Sequence, residues 1–197
     1  KLSWLLDNTG TPKDFYMGTI DTFLVWKLTD GRSYFIDATN ASRTLLMDLN
    51  NVSWSEEMCN LLNIPIDRLP EIKNSADEYG ETSLFGGKIK ISGIAGDQQA
   101  ALFGQGCFKE GEAKSTYGTG CFMMLNTGSD IKFSKSKLLS TIGYQIDGEI
   151  NYALEGSIFM AGASVQWLRD NLEFFPYAQE IENLAKNSNK NSNVFFI

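Results

Sequence analysis

"ISGIAGDQQAALFGQG" occupies residues 91–106, and its reading decides the fold class. Its first residues belong with the alternating "KIKISGI" (88–94), which predicts a strand. "DQQAALFGQG" follows at once and reads as a helix that ends at a glycine. A strand passing directly into a helix points to α/β architecture, where ligands gather beyond the carboxyl ends of strands. Asp97 stands at such an end, and glycines at 93 and 96 permit close backbone approach there. Gln98 beside it offers a donor and an acceptor, a pairing suited to a polyol hydroxyl. Two readings of Asp97 stand at this point: a general base, or an N-cap of the helix it precedes.

Upstream, "TIDTFLVWKLTDG" sets Ile20, Phe23, Leu24, Trp26 and Leu28 at helical spacing, with Asp30-Gly31 as the stop. "SYFIDATNASRTLLMDL" reads as two short extended pieces around the polar "DATNAS". "SWSEEMCNLLNI" is a helix capped by Ser53 or Ser55, with Glu56 and Glu57 in the first turn and Pro65 after its end. "PIDRLPEI" is a short turn, and "NSADEYGETSLFGGK" (74–88) is expected to be a polar, glycine-containing loop.

Downstream the character changes near residues 104–113, from an α/β segment to a hairpin-rich one. "EAKSTYGTGCFMMLNTG" reads as strand, glycine turn, strand. "LSTIGYQIDGEINYALEG" is a hairpin whose Asp147-Gly148 suits a type I′ turn. "SIFMAGASVQWLRDNLEFF" is a helix with Val165, Leu168 and Leu172 on one face. "KNSNKNSN" (186–193) is low in complexity and expected to be a mobile loop.

The bulk properties narrow the function. Of the 197 residues 43% are hydrophobic and 21% charged, which is globular composition. A net charge of -7 argues against nucleic acid or an anionic membrane as the main partner. No apolar run approaches the ~18 residues of a membrane span. The three cysteines, Cys59, Cys107 and Cys121, lack the paired spacing of a zinc site and are expected to be small, packed, reduced side chains in a cytoplasmic protein. There is no histidine, so acid–base chemistry falls to Asp, Glu, Lys, Tyr or Cys. The chain opens on Lys1 inside an apolar stretch and finishes on the strand-like "NVFFI", so it is expected to be an interior piece of something longer.

Two further stretches carry candidate chemistry. In "STYGTGC" a threonine flanked by glycines leaves a hydroxyl and backbone N–H groups to face a phosphate, or the glycines serve only to turn the chain. In "MAGASVQW" small residues open a helix whose N-terminus favours negative charge, with Gln166 one turn on from Gly162; close helix packing explains the same residues. Two turns with donors and one strand-end carboxylate together suggest phosphoryl transfer to a hydroxyl, a reaction that asks mainly for positioning and charge stabilisation.

These stretches, with "GTIDTFLVWKLTDG", "DATNASRTLLMDL" and "IPIDRLPEI", resemble the FGGY carbohydrate kinase family and, within it, the members that phosphorylate glycerol. "KLSWLLDN" is similar to the family's first signature, and the resemblance runs in order along the chain apart from the "KNSNKNSN" tail. It implies an α/β fold of the actin-like ATPase (RNase H-like) kind, two domains with the active site in the cleft between them. Residues 1–104 would be the end of the first, substrate-binding domain and 105–197 the start of the second, nucleotide-binding one. It implies ATP and Mg2+ as cofactors, glycerol as the small-molecule partner and a homo-oligomeric full-length form. Carried over by motif, Asp97 is the general base, Gln98 holds a substrate hydroxyl and Phe122 packs on the substrate's carbons. Thr119 contacts ATP phosphates, and Gly162 and Gln166 line the nucleotide site.

The departures are as specific. The family's phosphate loop, its Arg-Glu substrate pair and a substrate tyrosine would lie before Lys1, and its adenine-side motif and second signature after Ile197. Residues 79–88 correspond to a segment that serves allosteric inhibition in some bacterial members, but keep only Lys88 of its basic pattern, so regulation is not carried over. An FGGY kinase acting on a pentulose or another polyol remains open, as does an actin-like nucleotide-binding module without sugar turnover.

Overall fold

The computed structural model describes residues 1–10, 15–190 and 192–193. The elements run α1 (Leu2–Asn8), α2 (Ile20–Leu28), β1 (Phe35–Asp37), α3 (Ala38–Ala41), β2 (Met47–Asp48), β3 (Ser53–Trp54) and α4 (Glu56–Leu61). A 3-10 turn (Ile66–Arg68) leads to β4 (Glu71–Lys73), β5 (Ala76–Thr82), β6 (Ile89–Gly93) and α5 (Asp97–Gly104). Then follow β7 (Ala113–Tyr117), β8 (Cys121–Gly128), β9 (Leu139–Ile146), β10 (Glu149–Ile158), α6 (Gly162–Asp170) and α7 (Glu180–Asn187). The chain divides into two compact units, 1–114 with 123–156, and 115–122 with 157–197.

The main sheet has six strands in the order β6-β5-β9-β10-β8-β7. β9 and β10 form the expected antiparallel hairpin, with Glu149 opposite Ile146. Asp147 and Gly148 both take positive φ (52° and 80°), the conformation a type I′ turn demands. β5 runs antiparallel to β6 and parallel to β9, so the sheet is mixed. β1 pairs with β4 in parallel and β2 with β3 antiparallel, as two small separate sheets.

Helix ends follow local chemistry. Ser55 caps α4 by accepting from Met58 N at 3.2 Å. Asn63, at φ 54°, closes it: Asn63 N and Ile64 N donate back to the carbonyls of Asn60 and Cys59, and Pro65 follows. α5 ends in the same motif with Gly106 at φ 76°, where Gly106 N and Cys107 N donate to the carbonyls of Phe103 and Leu102.

Three apolar clusters hold the first unit. Met17, Leu46, Cys59 and Ile64 are buried under Leu2 and Leu6 of α1 and Met58 and Leu62 of the α4 region. Leu102, Cys107, Met124 and Ala153 join α5 to the sheet. Ala38, Ile142 and Tyr152 bury α3 against the sheet with Ile72 and Ile150 beside them. Cys59 and Cys107 are buried and Cys121 half-buried, all as free thiols, and burial raises the Cys59 thiol's pKa.

Several expectations need correction. "DATNAS" is not irregular: Asp37 accepts from the backbone N–H groups of Thr39 and Asn40 and so starts the helical turn α3. Residues 76–82 of the expected loop form β5, because pairing with β6 and β9 rather than apolar alternation makes them a strand. In α2 the apolar face is open, with Phe23 50% and Ile20 69% exposed, and the helix instead turns Thr22 and Val25 inward. α6 stops at Asp170, so Leu172 lies beyond it, and none of its residues is buried. α7 takes in the first two residues of the 186–193 tract, and "NVFFI" lies almost wholly outside the described residues.

Candidate active site

The start of α5 tests the capping reading of Asp97. Gly96 occupies the N-cap position, and no side chain caps the helix. Asp97 is the first helical residue and is exposed. Its Oδ2 accepts a hydrogen bond from Gln98 Nε2 at 3.1 Å. Its carboxylate is therefore not spent on the backbone amides of its own helix, and the capping reading is overturned. Its place in the first turn also sets the carboxylate against the favourable end of the helix dipole.

A buried polar hub fixes that start, and the sequence reading missed it. Asp37, with no exposure, ends β1. Its two oxygens accept from the amides of Thr39 and Asn40, from Thr39 Oγ1, from Asn40 Nδ2 and from Ser75 Oγ, all at 2.8–3.0 Å. Thr39 Oγ1 in turn accepts from Gly96 N at 2.8 Å, one residue before Asp97. The next turn of α5 is held as well: buried Gln99 donates to Thr141 Oγ1 of β9 at 3.3 Å, and Ser42, the residue after α3, bonds the same hydroxyl at 2.8 Å. A Cβ on Gly96 would come 2.6 Å from Gln99 Oε1, so any other residue there would have to displace the Gln99 amide. An Asp followed by Thr and Asn after a short apolar run was the available signal, a side-chain cap for a turn.

Gln98 is half-buried, and its Oε1 accepts from the ammonium of Lys114, a residue only 2% exposed. Lys114 lies on β7, where Ala113 and Ser115 on either side are exposed, so strand alternation alone turns it inward. It too was missed, because a lysine in "EAKSTY" carries no outward sign of burial.

In the second unit the Gly118–Gly120 turn is seated on the start of α6. Ala161 N and Ala163 N donate to the carbonyl of Thr119, and Gly162 N donates to that of Gly118 at 2.9 Å. A Cβ on Gly162 would lie 2.6 Å from the Gly118 carbonyl, and one on Gly120 2.8 Å from that of Ile158, so both glycines are required by close approach. Part of the expected donor set is engaged: Gly118 N donates to Gly120 O, and the amides of Ala161, Gly162 and Ala163 at the head of α6 are spent on the turn. What the turn does present is Thr119, exposed, its hydroxyl without a partner among the described residues. Phe122 follows in β8, half-buried, and Gln166 is exposed on α6. The six expected residues thus fall into two sets, Asp97 and Gln98 in the first unit, Thr119, Phe122, Gly162 and Gln166 in the second.

Residues 1–104, which include α5 and the Asp37 hub, match the family model described as the N-terminal domain of the FGGY family of carbohydrate kinases. The chain belongs to the FGGY family. It is 52% identical to a glycerol kinase of Sinorhizobium fredii and 51% identical to one of Rhizobium meliloti, each over the whole of this chain and 41% of the relative. The chain thus spans about two fifths of the length of the curated relatives it matches. Among solved structures, a glycerol kinase of Plasmodium falciparum with ADP superposes with a TM-score of 0.86 at 40% identity, covering 95% of this chain and 39% of that one. A gluconate kinase of Lactobacillus acidophilus, at 18% identity and a TM-score of 0.81, shares the fold over 95% of this chain and 39% of its own. The fold is that of the FGGY sugar kinases, the actin-like ATPase fold. Among the described residues no helix is long and apolar enough to cross a membrane.

Proposed function

We propose that the whole protein transfers the γ-phosphoryl group of ATP to a terminal hydroxyl of glycerol, giving sn-glycerol 3-phosphate and ADP. The observation that carries this reading is the Asp97 carboxylate, exposed and uncapped at the head of α5 in a chain about half identical to glycerol kinases along its full length. Asp97 takes the hydroxyl proton as the oxygen attacks phosphorus and the bond to the ADP oxygen breaks. Gln98 hydrogen-bonds a glycerol hydroxyl, and Phe122 covers the substrate's carbons. Thr119 supplies a hydroxyl to the phosphates, with Gly162 and Gln166 along the nucleotide.

The residues present fit a nucleotide. The Thr119 hydroxyl is exposed and, among the described residues, without a partner, on a turn where Gly120 has no room for a Cβ. Bound ATP supplies the phosphoryl group. Mg2+, where it accompanies ATP, would be carried chiefly by the phosphates and would offset their charge. The proposal includes a domain division at 104/105, a homo-oligomeric whole protein and a cytoplasmic location.

The test is Asp97→Asn in the whole protein. Loss of a placed general base is expected to lower kcat about 10²–10⁴-fold and leave KM for ATP unchanged. Turnover within about tenfold of wild type would remove Asp97 from the mechanism. Coupled ADP release measured with glycerol, xylulose, ribulose and erythritol checks the substrate: glycerol is expected to be turned over fastest, and preference for another polyol would overturn that part.

A further inference from the structure

A lysine that is 2% exposed is costly, because burying an ammonium forfeits its hydration unless protein acceptors replace it. Lys114 of β7 meets one such acceptor in Gln98 Oε1, sixteen residues back on α5. The same amide donates from its other end: Gln98 Nε2 bonds Asp97 Oδ2 at 3.1 Å. Ammonium, amide and carboxylate therefore stand in one line, each donating to the next. The order has a consequence for the amide. Rotated by half a turn, Gln98 would set its NH2 group against an ammonium and its oxygen against a carboxylate, and both contacts would repel.

We infer that Lys114 is a positioning residue for the reaction: its ammonium fixes the orientation of the Gln98 amide, and through it the rotamer of the Asp97 carboxylate. The inference rests on the proposed role of Asp97 and deepens it. With Oδ2 held by the amide, Asp97 Oδ1 has no bond among the described residues and is the oxygen left for a substrate proton. Gln98 keeps one N–H of Nε2 for a substrate hydroxyl, with its oxygen already engaged by a cation. The effect of Lys114 through the amide is therefore on the substrate side.

The experiment is a double-mutant cycle in the whole protein between Lys114→Met and Gln98→Ala. Lys114→Met is expected to raise KM for the polyol about tenfold, the effect of one charge-assisted hydrogen bond, with KM for ATP unaltered. In the Gln98→Ala background the same change is expected to alter KM for the polyol less than twofold, roughly, because the amide through which it acts is gone. Effects that multiply in full would overturn the inference and leave Lys114 a packing residue. The same cycle read as Tm is expected to be non-additive, and additivity would overturn the coupling. If glycerol is not turned over by the wild type, the proposed function fails while the Tm cycle still decides the contact. Gln98→Glu covers the case in which Lys114→Met does not fold. A carboxylate facing the ammonium is expected to hold or raise Tm, and a fall of about 5 °C or more, as for an added carboxylate beside Asp97 alone, would overturn the inference.

Discussion

Asp37 shows how far one side chain can govern a site it does not line. It has no exposure, yet its oxygens gather donors from Thr39, Asn40 and Ser75, and Thr39 passes the order on to Gly96. Removing it strands several buried donors at once, which costs more than one ordinary hydrogen bond. Asp37→Ala is therefore expected to destabilise the protein by about 3 kcal/mol, measured by urea unfolding. A loss below about 1 kcal/mol would mean that water replaces the carboxylate. Gly162 poses a simpler question. Its would-be Cβ meets backbone, the Gly118 carbonyl, and backbone does not yield as a flexible side chain would. Gly162→Ala is expected to break the Gly162 N to Gly118 O bond, seen as faster amide exchange at Gly162, and to raise KM for ATP in the whole protein. Retained protection at that amide would show that the turn can shift to admit a methyl group.

At the level of elements, what could be read from the sequence is what local chemistry determines. The β9–β10 turn is written in two residues, since Asp147-Gly148 accepts two positive φ angles where most pairs do not. Gly148→Ala, at φ 80°, is expected to cost about 1 kcal/mol, and Ser55→Ala at the cap of α4 about the same. Thermal melts check both, and an unchanged Tm for Ser55→Ala would show that its bond to Met58 N is not formed in solution. α5 was equally legible from its entry after glycine and its glycine exit. β5 was not: "ADEYGET" buries only Tyr79 and Thr82, and it is a strand because β6 and β9 supply its partners. The face that α2 presents was likewise illegible, for helical spacing of apolar residues says that a face exists and not what lies against it. At the candidate site Asp97 and Gln98 were visible as polar residues directly after a strand. The groups that hold them, Asp37, Thr39 and Lys114, come from elements distant in sequence.

For the molecule as a whole, the buried phenols set a limit on its alkaline side. Tyr34 shares its hydroxyl proton between the carbonyls of Met17 and Arg68, at 2.5 and 2.7 Å, and so ties the segment before α2 to the turn after α4. Burial, as the largest cause, pushes its pKa from 10.0 up to about 12. Tyr79 and Tyr152 are raised too, again chiefly by burial, with Asp37 adding repulsion at Tyr79 and Asp48 at Tyr152. A phenol whose folded pKa exceeds its unfolded value binds its proton more tightly in the folded state. Its contribution to stability is fully present below the unfolded pKa and is lost as pH rises through the folded one. For Tyr34 that window runs from pH 10 to about 12. Tm is therefore expected to be level between about pH 8 and 9.5 and to fall beyond about 10. Tyr34→Phe cannot ionise and cannot donate to either carbonyl, so it should lower Tm at about pH 8 yet flatten the fall above about 10, leaving the part due to Tyr79 and Tyr152. An alkaline slope as steep in Tyr34→Phe as in the wild type would show that its proton is held no more tightly in the folded protein than in the unfolded chain.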